Sequence, residues 1–96
     1  MTFEEFLTLC ESTEEPRNLS NLLKALWYDH QGEWDLAHEE IQDGEDTYSA
    51  AIHAYLHRKE GDLSNARYWY STANRRPFSG SLDAEWESLV RELAQR

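Results

Sequence analysis

The chain carries an internal repeat, and a repeat of helical segments restricts the order in which they can pack. A displacement of 29 residues superimposes Gly32 on Gly61. After each glycine come an acidic residue, a large apolar residue and, three positions later, an alanine. The matching positions are Ala25, Leu26, Gly32, Glu33, Trp34, Ala37 and Ile41 in one copy, and Ala54, Tyr55, Gly61, Asp62, Leu63, Ala66 and Tyr70 in the other. Because glycine ends helices and alanine permits close crossing, the repeat predicts two helical hairpins.

The hydrophobic spacing predicts an all-α protein. Apolar residues recur at intervals of three and four between the glycines and prolines, and no segment alternates long enough for a strand. We expect about six helices, with two antiparallel helix hairpins flanked by short terminal helices. A chain of 96 residues fits one domain. Its predicted parts are an N-terminal helix and connector (1–18), hairpin one (19–44), hairpin two (45–77) and a C-terminal helix (78–96).

Local signals predict how individual helices begin and pack. Thr2 and Glu5 form a capping-box pattern for the first helix, and Ser81 is a candidate N-cap for the last. In the fourth helix, Ala50 and Ala54 lie opposite the main apolar stripe. We therefore expect that helix to be packed on two sides.

The second copy resembles the tetratricopeptide repeat. The family's series of glycine, apolar residue, alanine, aromatic residue and alanine is matched by Gly61, Leu63, Ala66, Tyr70 and Ala73. The first copy matches up to Ile41 and then has Gly44 where the family has alanine, and the spacing of 29 is shorter than the family's period of about 34. The resemblance covers residues 19–77. Residues 54–70 are also similar to a group of small uncharacterised bacterial proteins, a resemblance that implies no activity.

The tetratricopeptide resemblance implies a peptide-binding groove. Its lining would fall on Leu19, Leu22, Leu26 and His30 in hairpin one, and on Tyr48, Ala51, Tyr55 and Lys59 in hairpin two. An open groove of this kind would expose a large apolar area. Either the terminal helices or a partner must cover it.

Charge narrows the range of partners. The net charge of -10 disfavours nucleic acid and anionic membranes. Residues 1–48 contain thirteen acidic and two basic side chains, whereas residues 49–96 contain six and seven. This asymmetry favours salt-sensitive association with a protein segment or with a second copy. The single cysteine, Cys10, which we expect in the core, and the absence of a leader or spanning pattern predict a cytoplasmic protein.

Aromatic and basic residues of hairpin two are the candidate partner-binding residues. Tyr and Arg dominate many binding hot spots, and the second half of the chain supplies the basic area of an acidic protein. The predicted set is Tyr48, Tyr55, Arg58, Arg67 and Tyr68. The ordinary alternative is that Arg58 and Arg67 pair with nearby acids at the surface.

The sequence offers no combination of nucleophile, base and orienting residue, so we expect a non-enzymatic interaction module without a cofactor. The alternative is a small metal-binding protein or metal-dependent hydrolase. His53 and His57 lie one helical turn apart and could bind a divalent metal, with Glu60 as a third ligand. A half-buried, hydrogen-bonding role for both histidines is the more common outcome at such positions.

Overall fold

The computed structural model describes residues 1–95 and contains six α-helices. They are α1 (Phe3–Cys10), α2 (Asn21–His30), α3 (Trp34–Ile41), α4 (Thr47–Glu60), α5 (Leu63–Thr72) and α6 (Leu82–Ala94). Residues 1–95 form no β-strand, which confirms the all-α prediction. In this part of the chain, no helix combines the length and apolar character needed to cross a membrane.

Side-chain caps fix the beginnings of the terminal helices. The backbone N–H of Glu5 donates to Thr2 Oγ1 over 3.0 Å, and the backbone N–H of Thr2 donates to Glu5 Oε1 over 2.8 Å. This reciprocal capping box satisfies two N–H groups that the helix leaves free. Ser81 caps α6 by accepting from the N–H of Ala84 over 3.0 Å. Both predicted caps are confirmed.

Left-handed glycines separate the helices of each hairpin. Gly32 has φ of 83° between α2 and α3, and Gly61 has φ of 91° between α4 and α5. Glycine adopts this conformation without the steric penalty that a side chain incurs. The short connections make α2 and α3, and likewise α4 and α5, antiparallel neighbours. The predicted hairpins are present, and the relationship to the tetratricopeptide family stays a prediction.

The central helix, α4, is buried on all sides. Every residue from 49 to 57 is buried, including Ala50 and Ala54. Helices α2, α3, α5 and α6 all pack against α4. The small alanine side chains let neighbouring helices approach closely. The prediction of two-sided packing is therefore confirmed.

The terminal helices cover most of the predicted groove. Trp86 of α6 donates its indole N–H to the Leu26 carbonyl of α2 over 3.0 Å, in the buried interior. Gln31 Nε2 donates to the Cys10 carbonyl over 2.9 Å and so satisfies the C-terminal end of α1. Cys10 is buried, as the sequence predicts. The groove could have been covered by a partner or by the terminal helices, and the structure shows the terminal helices in this place.

Leu63 and Trp34 occupy matching positions of the repeat but differ in their surroundings. Trp34 is partly buried, whereas Leu63 is 56% exposed. Trp34 begins α3 and donates to the Leu56 carbonyl of α4 over 2.8 Å. Within the described part of the chain, the backbone of α5 lies close only to that of α4, and the Tyr70 hydroxyl reaches Glu85 of α6. Leu63, at the beginning of α5, stays uncovered.

The left-handed turn yields a stability prediction. An added Cβ at Gly61 would meet no atom within 4 Å, so the cost of a side chain there is conformational. We expect Gly61→Ala to lower the free energy of unfolding by about 1 kcal/mol. Gly61→Asn should cost less, because asparagine tolerates left-handed backbone. Urea denaturation measures both variants, and an alanine variant as stable as the original chain would contradict the turn geometry.

Candidate functional site

Tyr55, predicted to bind a partner, is used inside the fold. Its side chain is 2% exposed, and its hydroxyl donates to Asp29 Oδ2 over 2.6 Å. Lys59 Nζ donates to the other oxygen of Asp29 over 2.9 Å, so the buried carboxylate is neutralised and hydrogen-bonded. Burial, together with the adjacent Asp29 carboxylate, raises the pKa of the Tyr55 phenol. The hydroxyl therefore remains a donor.

Arg58 is likewise used internally, and it holds α6 against α4. Its guanidinium donates to Glu85 Oε1 over 2.8 Å and to the carbonyl of Gly80. Tyr70 donates to the second oxygen of Glu85 over 2.5 Å. Glu85 is 3% exposed, and a buried carboxylate requires such partners. Tyr55 and Arg58 therefore make their polar contacts within the fold, and a partner-binding role for them stays a prediction.

The other predicted partner-binding residues differ in their surroundings. Tyr48 is partly buried beneath the guanidinium of Arg75, whose central carbon lies 5.5 Å from the ring centroid. Arg67 is exposed, and its side chain makes no ion pair with residues 1–95. Tyr68 is 62% exposed and meets the Trp69 ring edge-on at 5.2 Å. Arg67 and Tyr68 thus remain accessible on α5.

One end of the predicted groove stays open as a cleft of about 460 Å³. We call it the acidic-aromatic cleft. Its lining consists of Phe3, Leu7, Asp29, His30, Tyr55, Lys59, Asp83, Trp86 and Glu87. The tetratricopeptide resemblance had implied His30, Tyr55 and Lys59 as groove residues. The terminal helices contribute Phe3, Leu7, Asp83, Trp86 and Glu87, which the repeat pattern could not reveal because those helices lie outside it.

The acidic-aromatic cleft combines negative charge with aromatic surfaces. Three carboxylates line it, and the one lysine in the lining is bonded to one of them, Asp29. The His30 ring lies 5.2 Å from the Trp86 ring. At the same end of the fold, the Arg91 guanidinium lies 4.6 Å from the centroid of Phe3. A cation already rests on one of the cleft's aromatic rings, in a geometry that favours attraction.

On the opposite face of α4, three histidines converge. One ring nitrogen from each of His38, His53 and His57 lies within 4.8 Å of the others, and we call this group the histidine cluster. His53 and His57 lie one turn apart on α4, as the sequence indicates, and His38 comes from α3. The helical spacing of α3 puts His38 on the side of Trp34, Ala37 and Ile41, but no local pattern joins it to His53 and His57. Its meeting with α4 depends on how the hairpins stack.

Aromatic stacking orders the rings of the histidine cluster. The His53 and His57 rings are stacked, with centroids 5.8 Å apart and planes 5° apart. The His38 ring meets them edge-on at 4.8 Å and 5.5 Å, respectively. Trp34 stacks on His38 at 5.1 Å, and Trp69 stacks on His53 at 3.9 Å. The two indoles therefore enclose the imidazoles from both sides.

Hydrogen bonding differs between the two histidines of α4. His57 Nδ1 lies 2.6 Å from Glu60 Oε2, and because a carboxylate only accepts, Nδ1 carries the proton. Asn65 Nδ2 lies 3.4 Å from the other nitrogen, Nε2. His53 is 2% exposed, and its Nδ1 has no partner among residues 1–95. An unpaired buried nitrogen costs about 1–3 kcal/mol. The expected hydrogen-bonding role fits His57 but fails for His53 Nδ1.

Two members of the histidine cluster have lowered pKa values. Burial, together with the neighbouring His38 and His57, lowers the pKa of His53 to about 4. Burial and His57 also lower the pKa of His38. Both rings are therefore neutral at pH 7 and have a lone pair free on one nitrogen.

Comparison of this chain with protein-family models, with curated proteins and with solved structures gives no match.

The lowered pKa of His53 predicts acid sensitivity of folding. The pKa of His53 is about 4 in the folded chain, below the ordinary histidine pKa of 6.5, so the unfolded chain binds more protons between these two pH values. As the pH falls from 6.5 towards 4, the free energy of unfolding should therefore decrease, and His53 accounts for about 1–3 kcal/mol of this decrease. Urea denaturation at a series of pH values, with a chelator present, measures the loss. His53→Gln should weaken the dependence of the unfolding free energy on pH across this range. An equally steep dependence in the variant would contradict the assignment of the effect to His53.

Proposed function

We propose that the protein is a non-enzymatic protein–protein interaction module of helical-repeat type. Its partner is a protein segment that contains lysine or arginine, and the segment binds in the acidic-aromatic cleft. The observation that carries the proposal is the Asp83 carboxylate, which makes no ion pair with residues 1–95, at the open end of the groove beside Glu87 and the Phe3 ring. The proposal includes a cytoplasmic location, supported by the single unpaired cysteine.

Charge supports a basic partner. The chain carries a net charge of -10, so its field attracts cations over a range set by the ionic strength. At the acidic-aromatic cleft, Asp83 and Glu87 lie at the rim and Asp29 lies at the floor. Asp83 makes no ion pair with residues 1–95. Its carboxylate is therefore available to an incoming ammonium or guanidinium group.

The shape of the cleft supports recognition of a side chain. Its volume of about 460 Å³ lies within the range of about 300–1,000 Å³ typical of binding pockets. Phe3 lines the cleft and is only partly buried, and the faces of aromatic rings attract cations. Arg91 provides the internal example, since its guanidinium already lies over Phe3. A partner's arginine or lysine would use the same interaction.

Self-association is the second candidate, and the exposed pair on α5 favours it. Arg67 is unpaired within residues 1–95, and Tyr68 beside it is largely exposed. A second copy could place its acidic α3 face against Arg67. Sedimentation at low and high salt tests this form, since an association of this kind weakens as salt increases.

A peptide titration tests the main proposal. The probe is a short lysine- and arginine-rich peptide, and Asp83→Asn with Glu87→Gln removes both rim carboxylates. We expect affinity to fall by about three- to ten-fold, because each exposed charge contributes modestly. Calorimetry measures binding, and thermal melting checks that the variant is folded. The control is the double variant Glu39→Gln with Glu40→Gln on α3, which changes the net charge equally but lies outside the cleft.

The control separates a site from general attraction. If both double variants weaken binding equally, the peptide responds to net charge and the cleft is not its site. The same peptide with acetylated lysines should bind more weakly, because acetylation removes the cation.

A further inference from the structure

We propose that the histidine cluster binds a divalent transition-metal ion, with one nitrogen each from His38, His53 and His57 as ligands. This site is separate from the acidic-aromatic cleft: on α4, His53 and Tyr55 are about 200° apart around the helix axis. The inference therefore stands without the proposed interaction function.

The distances between the histidine nitrogens would suit a metal ion once the three rings move slightly closer together. One nitrogen from each ring already lies within 4.8 Å of the others. Tetrahedral zinc with Zn–N bonds of about 2.0–2.1 Å places its nitrogens about 3.3 Å apart. The rings converge from two helices, α3 and α4, and coordination requires their side chains to rotate so that the nitrogens come closer. His38 is only partly buried, so its ring has room to adjust.

The unpaired nitrogen of His53 is an independent sign of a ligand. Buried polar groups in folded proteins are nearly always hydrogen-bonded. His53 is 2% exposed, yet its Nδ1 has no partner among residues 1–95. Each neutral imidazole also has one nitrogen that carries a lone pair and no proton. A metal ion satisfies several of these lone pairs at once.

Glu60 prepares His57 for coordination. Its Oε2 lies 2.6 Å from His57 Nδ1, so the proton is held on Nδ1 and the lone pair remains on Nε2. Metal-binding histidines usually have a carboxylate or carbonyl on the second nitrogen in this way. Asn65 Nδ2 contacts Nε2 at 3.4 Å, a long contact that a metal ion can replace. Glu60 is thus a positioning residue.

The ligand set indicates the class of metal. Neutral imidazoles suit zinc, cobalt, nickel and copper, whereas magnesium and calcium prefer oxygen. Three protein ligands leave one tetrahedral position open for water or another small ligand. The stacked Trp34 and Trp69 rings surround the imidazoles with apolar surface.

A second group of possible ligands shares His57 but is already engaged. His57, Glu60 and Asp62 also have ligand atoms within 4.8 Å of one another. Asp62 caps α5 by accepting from the Asn65 N–H over 3.3 Å, and Glu60 holds His57. Both carboxylates are exposed and solvated. The histidine cluster is therefore the favoured site.

The test uses the full chain after treatment with chelator. Calorimetric titration with zinc should give one ion per chain, and cobalt should give the visible absorption of a tetrahedral site. Magnesium should give no binding. His38→Gln should weaken zinc affinity at least about ten-fold, because a ligand is lost. His30→Gln is the matched control, since His30 is the one histidine outside the cluster, and its affinity should equal that of the original chain.

Further variants identify which group binds. Glu60→Gln should weaken zinc binding less than His38→Gln, because Glu60 acts through His57. If Asp62→Asn abolishes binding and His38→Gln does not, the outer carboxylate group is the site and the proposal is overturned. Absence of zinc binding by the folded original chain overturns it as well. Far-ultraviolet circular dichroism and thermal melting verify that each variant is folded.

Discussion

The burial of α4 on every side is the constraint on which the rest of the structure depends. A helix enclosed by four neighbours cannot be amphipathic, so its small residues must face helices that approach closely. Its polar residues must then find partners inside the protein. Tyr55 and Arg58 meet the buried carboxylates Asp29 and Glu85, which lie on α2 and α6. These contacts make the packing of the helices specific, because a buried carboxylate is stable only beside its hydrogen-bond donors.

The same enclosure separates two chemical environments on opposite faces of α4. Towards α1, α2 and α6, the helix contributes Tyr55 and Lys59 to a cleft rich in carboxylates. Towards α3 and α5, it contributes His53 and His57 to a cluster bounded by indoles. The first environment attracts cations through charge, and the second offers neutral nitrogen donors. One central helix thus positions both, although the two functions proposed for them are independent of each other.

Much of the fold could be predicted from sequence because its determinants are local. Glycines at 32 and 61, the capping residues and the three-four spacing each act within a few residues, and the structure contains the hairpins they predict. Contacts between distant segments were harder to predict. The enclosure of Tyr55 depends on how α6 docks, and the meeting of His38 with His53 depends on how α3 stacks on α4. Leu63 shows the same limit, since the repeat aligns it with the partly buried Trp34 and it is nonetheless exposed.

Native-state hydrogen exchange tests the central role of α4 most directly. Amides from residue 50 to residue 57 should exchange only through global unfolding, because opening this helix would disrupt its contacts with four others. Amides of α5, whose backbone lies close only to α4, should exchange through smaller openings. Exchange of the α4 amides as fast as those of α5, under conditions where the chain stays folded, would contradict the account.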